Sequence, residues 1–371
     1  MPALQPITRL EGASCRLIAL PHAGASISAY RSWAALLPGD IELYALQLPG
    51  RGSRVAEPAH SEMGALVDEL VEALRPTIDA GIPFAFFGHS FGAIIAVEAA
   101  RLLLERGLTP PITLLLSAHP APWLALDPEQ EALPRLEADE DFLAGLRLWG
   151  FSADEALAGG DASALAGGGA AQLLAVAVPP LRADIALRTE YCQAAAAAAA
   201  AAGSAPPPLP IPIHIFGGTE DTSVAPAALE AWSAICSVRS AGTPFAPQHG
   251  GHPDLVRRAP WLCAAGTLLF APALLTSAPR QATGHLTDSL GRPLAAAAEG
   301  VADGAPFSHT LLPGGHFYAD EPSSRAALLA AVAARMRAAL RRLPPSACIG
   351  PSTCADAPTV PEPHIHEMIE R

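Results

Sequence analysis

A serine stands between glycines in Gly88-His89-Ser90-Phe91-Gly92, directly after the apolar run Phe84-Ala85-Phe86-Phe87. This is the G-x-S-x-G spacing of a nucleophile elbow, in which a buried strand turns sharply into a helix and presents the serine hydroxyl at the turn. A hydroxyl attacks a carbonyl only when an imidazole removes its proton, and the imidazole needs a carboxylate to fix its tautomer and stabilise its charged form. With such an elbow the order along the chain is Ser, acid, His. Ile211-Pro212-Ile213-His214-Ile215-Phe216-Gly217-Gly218-Thr219-Glu220-Asp221 supplies a strand with a carboxylate at its end, so Asp221 is the candidate acid and the adjacent Glu220 the alternative. The candidate base is His316, released by two glycines in Leu311-Leu312-Pro313-Gly314-Gly315-His316 ahead of a helical stretch. His249, His252, His285 and His309 lie in or beside an irregular region and are expected at the surface, and His89 is expected to pack behind the nucleophile. Acyl transfer through a tetrahedral oxyanion needs two backbone N–H donors. Phe91 supplies one from the elbow, and the small-residue loop Pro21-His22-Ala23-Gly24-Ala25 supplies the other at Ala23, with Gly24 beside it; a plain surface turn is the alternative for that loop.

These residues need a rigid frame. Arg16–Leu20, Ile41–Leu46, 83–87, 112–117 and 211–216 read as strands, each stopped by Gly, Pro or small residues. Helical periodicity runs over 62–80, with Met63, Leu66, Leu70, Val71 and Leu74 on one face, and again over 91–106, 226–236 and 322–342. Alternation of this kind predicts an α/β fold with a mostly parallel sheet covered by helices on both faces. Between Ser117 and Leu209 the pattern changes to acidic helical stretches around 137–148 and 172–191, and an excursion of this size is expected to sit over the serine as a helical lid. The nine alanines Ala194–Ala202 extend a helix end.

The chain has 371 residues, half of them hydrophobic, enough for a full core. A formal charge of −13 argues against nucleic acid or an anionic membrane surface as partner, because the long-range field repels phosphate. Six cysteines without a C-x-x-C pair read as free thiols in a reducing compartment. No signal peptide or membrane span is apparent, so a cytoplasmic location is expected.

Taken together, Leu20-Pro21-His22-Ala23-Gly24 with Tyr30 and Trp33, Gln47-Leu48-Pro49-Gly50-Arg51-Gly52 with Arg54, the elbow, Leu181-Arg182-Ala183-Asp184 with Tyr191, Gly217–Asp221 and Leu312–Phe317 resemble the type II thioesterases. These are stand-alone enzymes of polyketide, nonribosomal peptide and fatty-acid synthesis. The resemblance implies an α/β-hydrolase fold and hydrolysis of acyl thioesters on the phosphopantetheine arm of an acyl carrier protein, or of acyl-CoA-like thioesters. It implies no cofactor and no metal, and a monomer is expected. The implied organisation is an N-terminal extension at 1–15, a hydrolase domain at 16–342 with a lid at 120–205, and a disordered tail at 343–371. Asp221 and His316 are 95 positions apart, where one helix and one strand need on the order of 30 residues. Residues 237–305 are accordingly an irregular insertion, either an extruded loop or translated non-coding sequence. Because acyl carrier domains are themselves acidic, Arg51, Arg54, Arg182 and Arg188 are the candidate docking cations. A carboxylester hydrolase, or a catalytically silent scaffold of the same fold, are the alternative functions.

Overall fold

The computed structural model describes residues 1–151, 170–238 and 305–343. Its sheet consists of β1 (Leu4–Pro6), β2 (Cys15–Leu20), β3 (Ile41–Leu46), β4 (Phe84–His89), β5 (Leu114–Ser117), β6 (Ile213–Gly218) and β7 (Phe307–Leu312), in spatial order β1-β3-β2-β4-β5-β6-β7. β1 is antiparallel to β3, and every other pairing is parallel. The helices are α1 (Met63–Ala73), α2 (Arg75–Asp79), α3 (Phe91–Glu105), α4 (Pro128–Ala132), α5 (Asp139–Arg147), α6 (Ala170–Ala202), α7 (Pro226–Glu230) and α8 (Pro322–Leu340).

The central strands are dominated by apolar residues, with β4 and β5 nearly continuous, because both faces of the sheet are covered. Ile18, Leu20, Phe84, Phe86, Leu114, Leu116, Ile213 and Ile215 join α1 and α3 in one core. The alternate residues Leu17, Ala19, Ala85, Phe87 and Leu115 pack with Tyr30, Trp33 and Leu328, Leu329, Val332 and Met336 of α8 in a second. The α/β-hydrolase expectation is met by this layering.

Two expectations about elements change. Residues 1–15 are not a mere extension: Leu4–Pro6 pairs with Leu46, Ala45 and Tyr44 of β3, and Cys15 already belongs to β2. A three-residue edge strand shows no usable periodicity in a sequence. The helical stretch at 62–80 is two helices, divided at Leu74, where Pro76 of α2 has no N–H with which to continue the ladder. The insertion lies outside the described residues save 237, 238 and 305, as do the tail beyond 343 and His249, His252 and His285. What frames the insertion is clear. β6 and β7 pair over six residues from Ile213↔Phe307 to Gly218↔Leu312, and Cys236 Sγ lies 3.4 Å from the Pro306 carbonyl, so the chain leaves and re-enters the fold at neighbouring points.

In the lid region, α4, α5 and the 33-residue α6 are present. α6 joins the core through Val178, Leu181, Ile185 and Cys192 and contacts α3, where the Tyr191 hydroxyl donates to Glu98 Oε1. No helix among the described residues is long and apolar enough to cross a membrane.

Candidate active site

The chain order turns back on itself between β2 and β4, since β3 lies on one side of β2 and β4 on the other. Such a switch point leaves a crevice at the carboxyl ends of the strands. Ser90 occupies it with φ 51° and ψ −118°, a conformation that few non-glycine residues adopt. Its N–H donates to the Ser117 carbonyl at 2.7 Å, which ties the strained turn to β5. The flanking glycines are required sterically. A Cβ on Gly88 would stand 2.2 Å from the Gly92 carbonyl oxygen, and one on Gly92 would stand 2.1 Å from the Leu20 carbonyl oxygen.

β6 and β7 end side by side and deliver the next two groups. His316 Nδ1 donates to Asp221 Oδ2 at 2.9 Å, with side-chain exposures of 8% and 3%. Asp221 Oδ1 accepts from the Ser223 N–H, the Ser223 hydroxyl and the Val224 N–H. Burial opposes ionisation of Asp221, but the His316 hydrogen bond and charge, together with the Ser223 donors, hold its carboxyl below the usual range. With Nδ1–H given to Asp221, Nε2 is the ring's acceptor. Glu220 makes no such contact; its N–H donates to the Gly314 carbonyl.

Ala23, Ser90, Phe91 and His316 line one narrow cleft with Ala118, His119, Gln130, Trp149, Phe151, Ile185, Arg188 and Ser223, and the cavity volume of about 20 Å³ is room for about one water. In the loop after β2, the Gly24 N–H donates to Asp184 Oδ2 at 2.8 Å and the Ala25 N–H to the His22 carbonyl. Both are thereby committed within the protein, while Ala23 lines the cleft beside Ser90 and Phe91. The Tyr30 hydroxyl donates to the Leu20 carbonyl at 2.8 Å and fixes the start of this loop. Gly24 has φ +78°, and a Cβ there would meet Leu181 Cδ1 at 2.9 Å, so α6 packs directly on the loop.

His89 behaves as expected of a group behind the nucleophile: Nδ1 bonds Ser117 Oγ at 2.8 Å, and that hydroxyl bonds Tyr318 OH at 2.6 Å. His22 packs edge-on against Phe317 and His89, and burial, with His316 and Arg51 nearby, pushes it down to about 3. Burial also pushes His89 and His119 well down. These three rings are therefore neutral around His316.

Of the four arginines expected to face a carrier domain, three are buried, and the partly exposed Arg182 is tied up within the chain. Arg51 makes a bidentate bridge to Asp184, NH1 to Oδ2 and NH2 to Oδ1 at 2.8 Å each. Arg54 is bound to Glu57 and Glu69, Arg182 to Asp139 and two backbone carbonyls, and Arg188 is buried beside His119. Arg51, Arg54 and Arg188 are each at most 6% exposed. Arg51, Arg182 and Arg188 find acceptors far away in sequence, whereas Arg54 finds Glu57 within its own turn. His309 is likewise not at the surface but half-buried in β7. Sequence reasoning missed Ser223, and it left Asp184 without a role although Leu181-Arg182-Ala183-Asp184 had stood out. Asp184 joins the lid helix, Arg51 and the Gly24 amide.

Comparison with known proteins is consistent across sequence and structure. The sequence model of the family described as "Thioesterase domain" matches residues 15–264. The gramicidin S biosynthesis protein GrsT of Aneurinibacillus migulanus is 33% identical over 223 residues, 60% of this chain and 77% of that one. RedJ, a thioesterase from the prodiginine biosynthetic pathway of Streptomyces coelicolor, aligns over 86% of this chain and 85% of its own at a TM-score of 0.56 and 25% identity. BorB, a type II thioesterase from the borrelidin biosynthetic cluster, aligns over 90% and 97% at 0.56 and shares the fold at 24% identity.

Proposed function

The chain belongs to the thioesterase family and is a thioester hydrolase, and from that premise we propose that it hydrolyses acyl groups carried as phosphopantetheine thioesters, using Ser90, His316 and Asp221. The observation that carries this reading is the His316–Asp221 hydrogen bond beside a strained Ser90 in one cleft.

In the first half-reaction His316 Nε2 takes the Ser90 proton as Oγ attacks the thioester carbonyl carbon. The oxyanion is held by the N–H groups of Ala23 and Phe91, donors that need no reorganisation because Asp184 and the elbow fix their backbones. Asp221 stabilises the imidazolium, which returns its proton to the departing sulfur. A water activated by His316 then attacks the acyl-Ser90 ester and releases the acid. The described lid residues Gln130, Trp149, Phe151 and Ile185 line the cleft and form the acyl wall. The partner is an acyl carrier domain or another pantetheine thioester. This role is supported by biosynthetic relatives such as GrsT and RedJ.

The test is hydrolysis of acyl-pantetheine thioesters alongside matched oxygen esters by the wild-type chain and Ser90→Ala. Thioester turnover that vanishes in the variant is the expected result. Turnover that survives it, or that is confined to oxygen esters, overturns the proposal.

A further inference from the structure

Arg188 is a buried cation on the wall of the catalytic cleft without a counter-charge among the described residues. Its side chain comes from α6 and is 6% exposed. Nε–H donates to His119 Nε2 at 3.1 Å and NH2 reaches Gln130 Oε1 at 3.4 Å. The guanidinium also lies 5.3 Å from the centre of the Trp149 ring. All three partners are neutral. His119 is fixed as the Nδ1–H tautomer by its 2.6 Å bond to the Pro120 carbonyl, so its Nε2 can only accept. Cys192, the remaining group that acts electrostatically on Arg188, is a buried thiol pushed upward by desolvation and hence uncharged. Arg188 NH1 is buried with no hydrogen-bond partner among the described residues.

Arginine does not lose its proton in a protein, and a buried charge is costly unless it is paired. Arg51, Arg54 and Arg182 contrast with it, since each has a carboxylate. A buried cation with a donor left over, lining the same cleft as Ser90 and His316, is arranged for an anion that arrives with the substrate.

We propose that Arg188 is a specificity residue that binds a carboxylate at the far end of the acyl group, so that the preferred substrates are thioesters of short dicarboxylic acids. This rests on the hydrolase reading above and adds the acyl class to it. Ser90 and Arg188 line the same cleft, and the spacer between the thioester carbonyl and the terminal carboxylate is the stretch of acyl chain that runs between them. In the reaction the C–S bond breaks, a C–O bond to water forms, and a diacid and a thiol leave; the terminal carboxylate is bound and unchanged.

The test pairs malonyl- with butyryl-pantetheine and succinyl- with pentanoyl-pantetheine, each pair differing by a carboxylate in place of an ethyl group. The full-length wild type is expected to favour the carboxylated member in kcat/KM. In Arg188→Gln that ratio should fall about 10- to 100-fold, the worth of a hydrogen-bonded charge, and Arg188→Lys should fall between. Preference for the neutral members by the wild type, a comparison that needs no variant to fold, overturns the proposal while leaving the hydrolase intact. So does a ratio that Arg188→Gln leaves unchanged. If no thioester is turned over, the hydrolase reading fails, and the carboxylate site is judged by calorimetry on Ser90→Ala. Tighter binding of succinyl- than pentanoyl-pantetheine upholds it, and equal affinity overturns it.

Discussion

Removing the Asp184 carboxylate should destabilise the fold and disable the oxyanion loop, and the two effects can be separated. Asp184 and Arg51 have side-chain exposures of 5% and 3%, and Asp184 also accepts the Gly24 N–H. Burial pushes its carboxyl upward, against the Arg51 charge and the Gly24 bond. Asp184→Leu leaves a buried guanidinium unpaired, at a cost of about 3–5 kcal/mol, and orphans the Gly24 N–H for about 1–3 kcal/mol more. Arg51→Met in the same chain removes the stranded charge, so that only the amide penalty remains. The double variant is therefore expected to be more stable than Asp184→Leu by at least ~2 kcal/mol in urea unfolding. Thioester turnover should not recover with it, because neither variant holds Gly24, and displacement of the neighbouring Ala23 donor by about 1 Å lowers kcat on the order of a hundredfold. A double variant no more stable than Asp184→Leu would refute the charge argument. Wild-type kcat in either variant would refute the assignment of Asp184 as the residue that positions the loop.

Asp221→Asn should retain the fold and lower kcat on the order of 10⁴-fold, since the amide no longer stabilises the imidazolium or fixes its tautomer; a loss below tenfold would remove Asp221 from the mechanism. Stability should fall as pH drops from about 6.5 toward 3. His22 and His214 are held near 3 by burial, against an ordinary value of 6.5, so in that window the unfolded chain binds the extra protons, and at pH 5 each costs about 2 kcal/mol. Urea unfolding at pH 7.5 and pH 5 measures this, His214→Gln should remove part of the slope, and a flat profile would contradict the burial argument. Replacing residues 239–304 by a four-residue link should preserve folding and thioester hydrolysis. The β6–β7 register and the Cys236–Pro306 contact are made by the flanks alone, and about four halvings of the connection lower its closure cost by ~2.4 kcal/mol. An unfolded product would show that the replaced segment supplies core.

How far the site could be read from the chain depended on whether a residue's role is set locally. Ser90 could be placed because the elbow is a local structure: two glycines are demanded by backbone atoms within the same turn or on the next strand, and the apolar run and helix on either side are contiguous. Asp221 and His316 were legible as strand-end residues despite their separation. The sheet makes that separation irrelevant, for Gly218 pairs with Leu312, and a Cβ on Gly218 would lie 2.2 Å from the Gly315 carbonyl oxygen. Nothing local marks Arg51, Arg182 or Arg188. Arg51 and Asp184 are 133 positions apart, and a charged side chain in a polar loop has the same appearance in sequence whether it is solvated or bridged.

Arg188 is the sharper case, because its significance is a missing counter-charge. That becomes visible only when α6 brings Arg188 beside His119 and the ring of His119 is seen to be held as an acceptor. The scaffold thus divides its labour. On the proposed reading, local turns supply the reacting groups, while α6 supplies Asp184 to hold the Gly24 amide and, one turn later, Arg188 to select the acyl group. A change that shifts α6 should therefore alter rate and specificity together, whereas Arg188→Gln should act on the choice of acyl group.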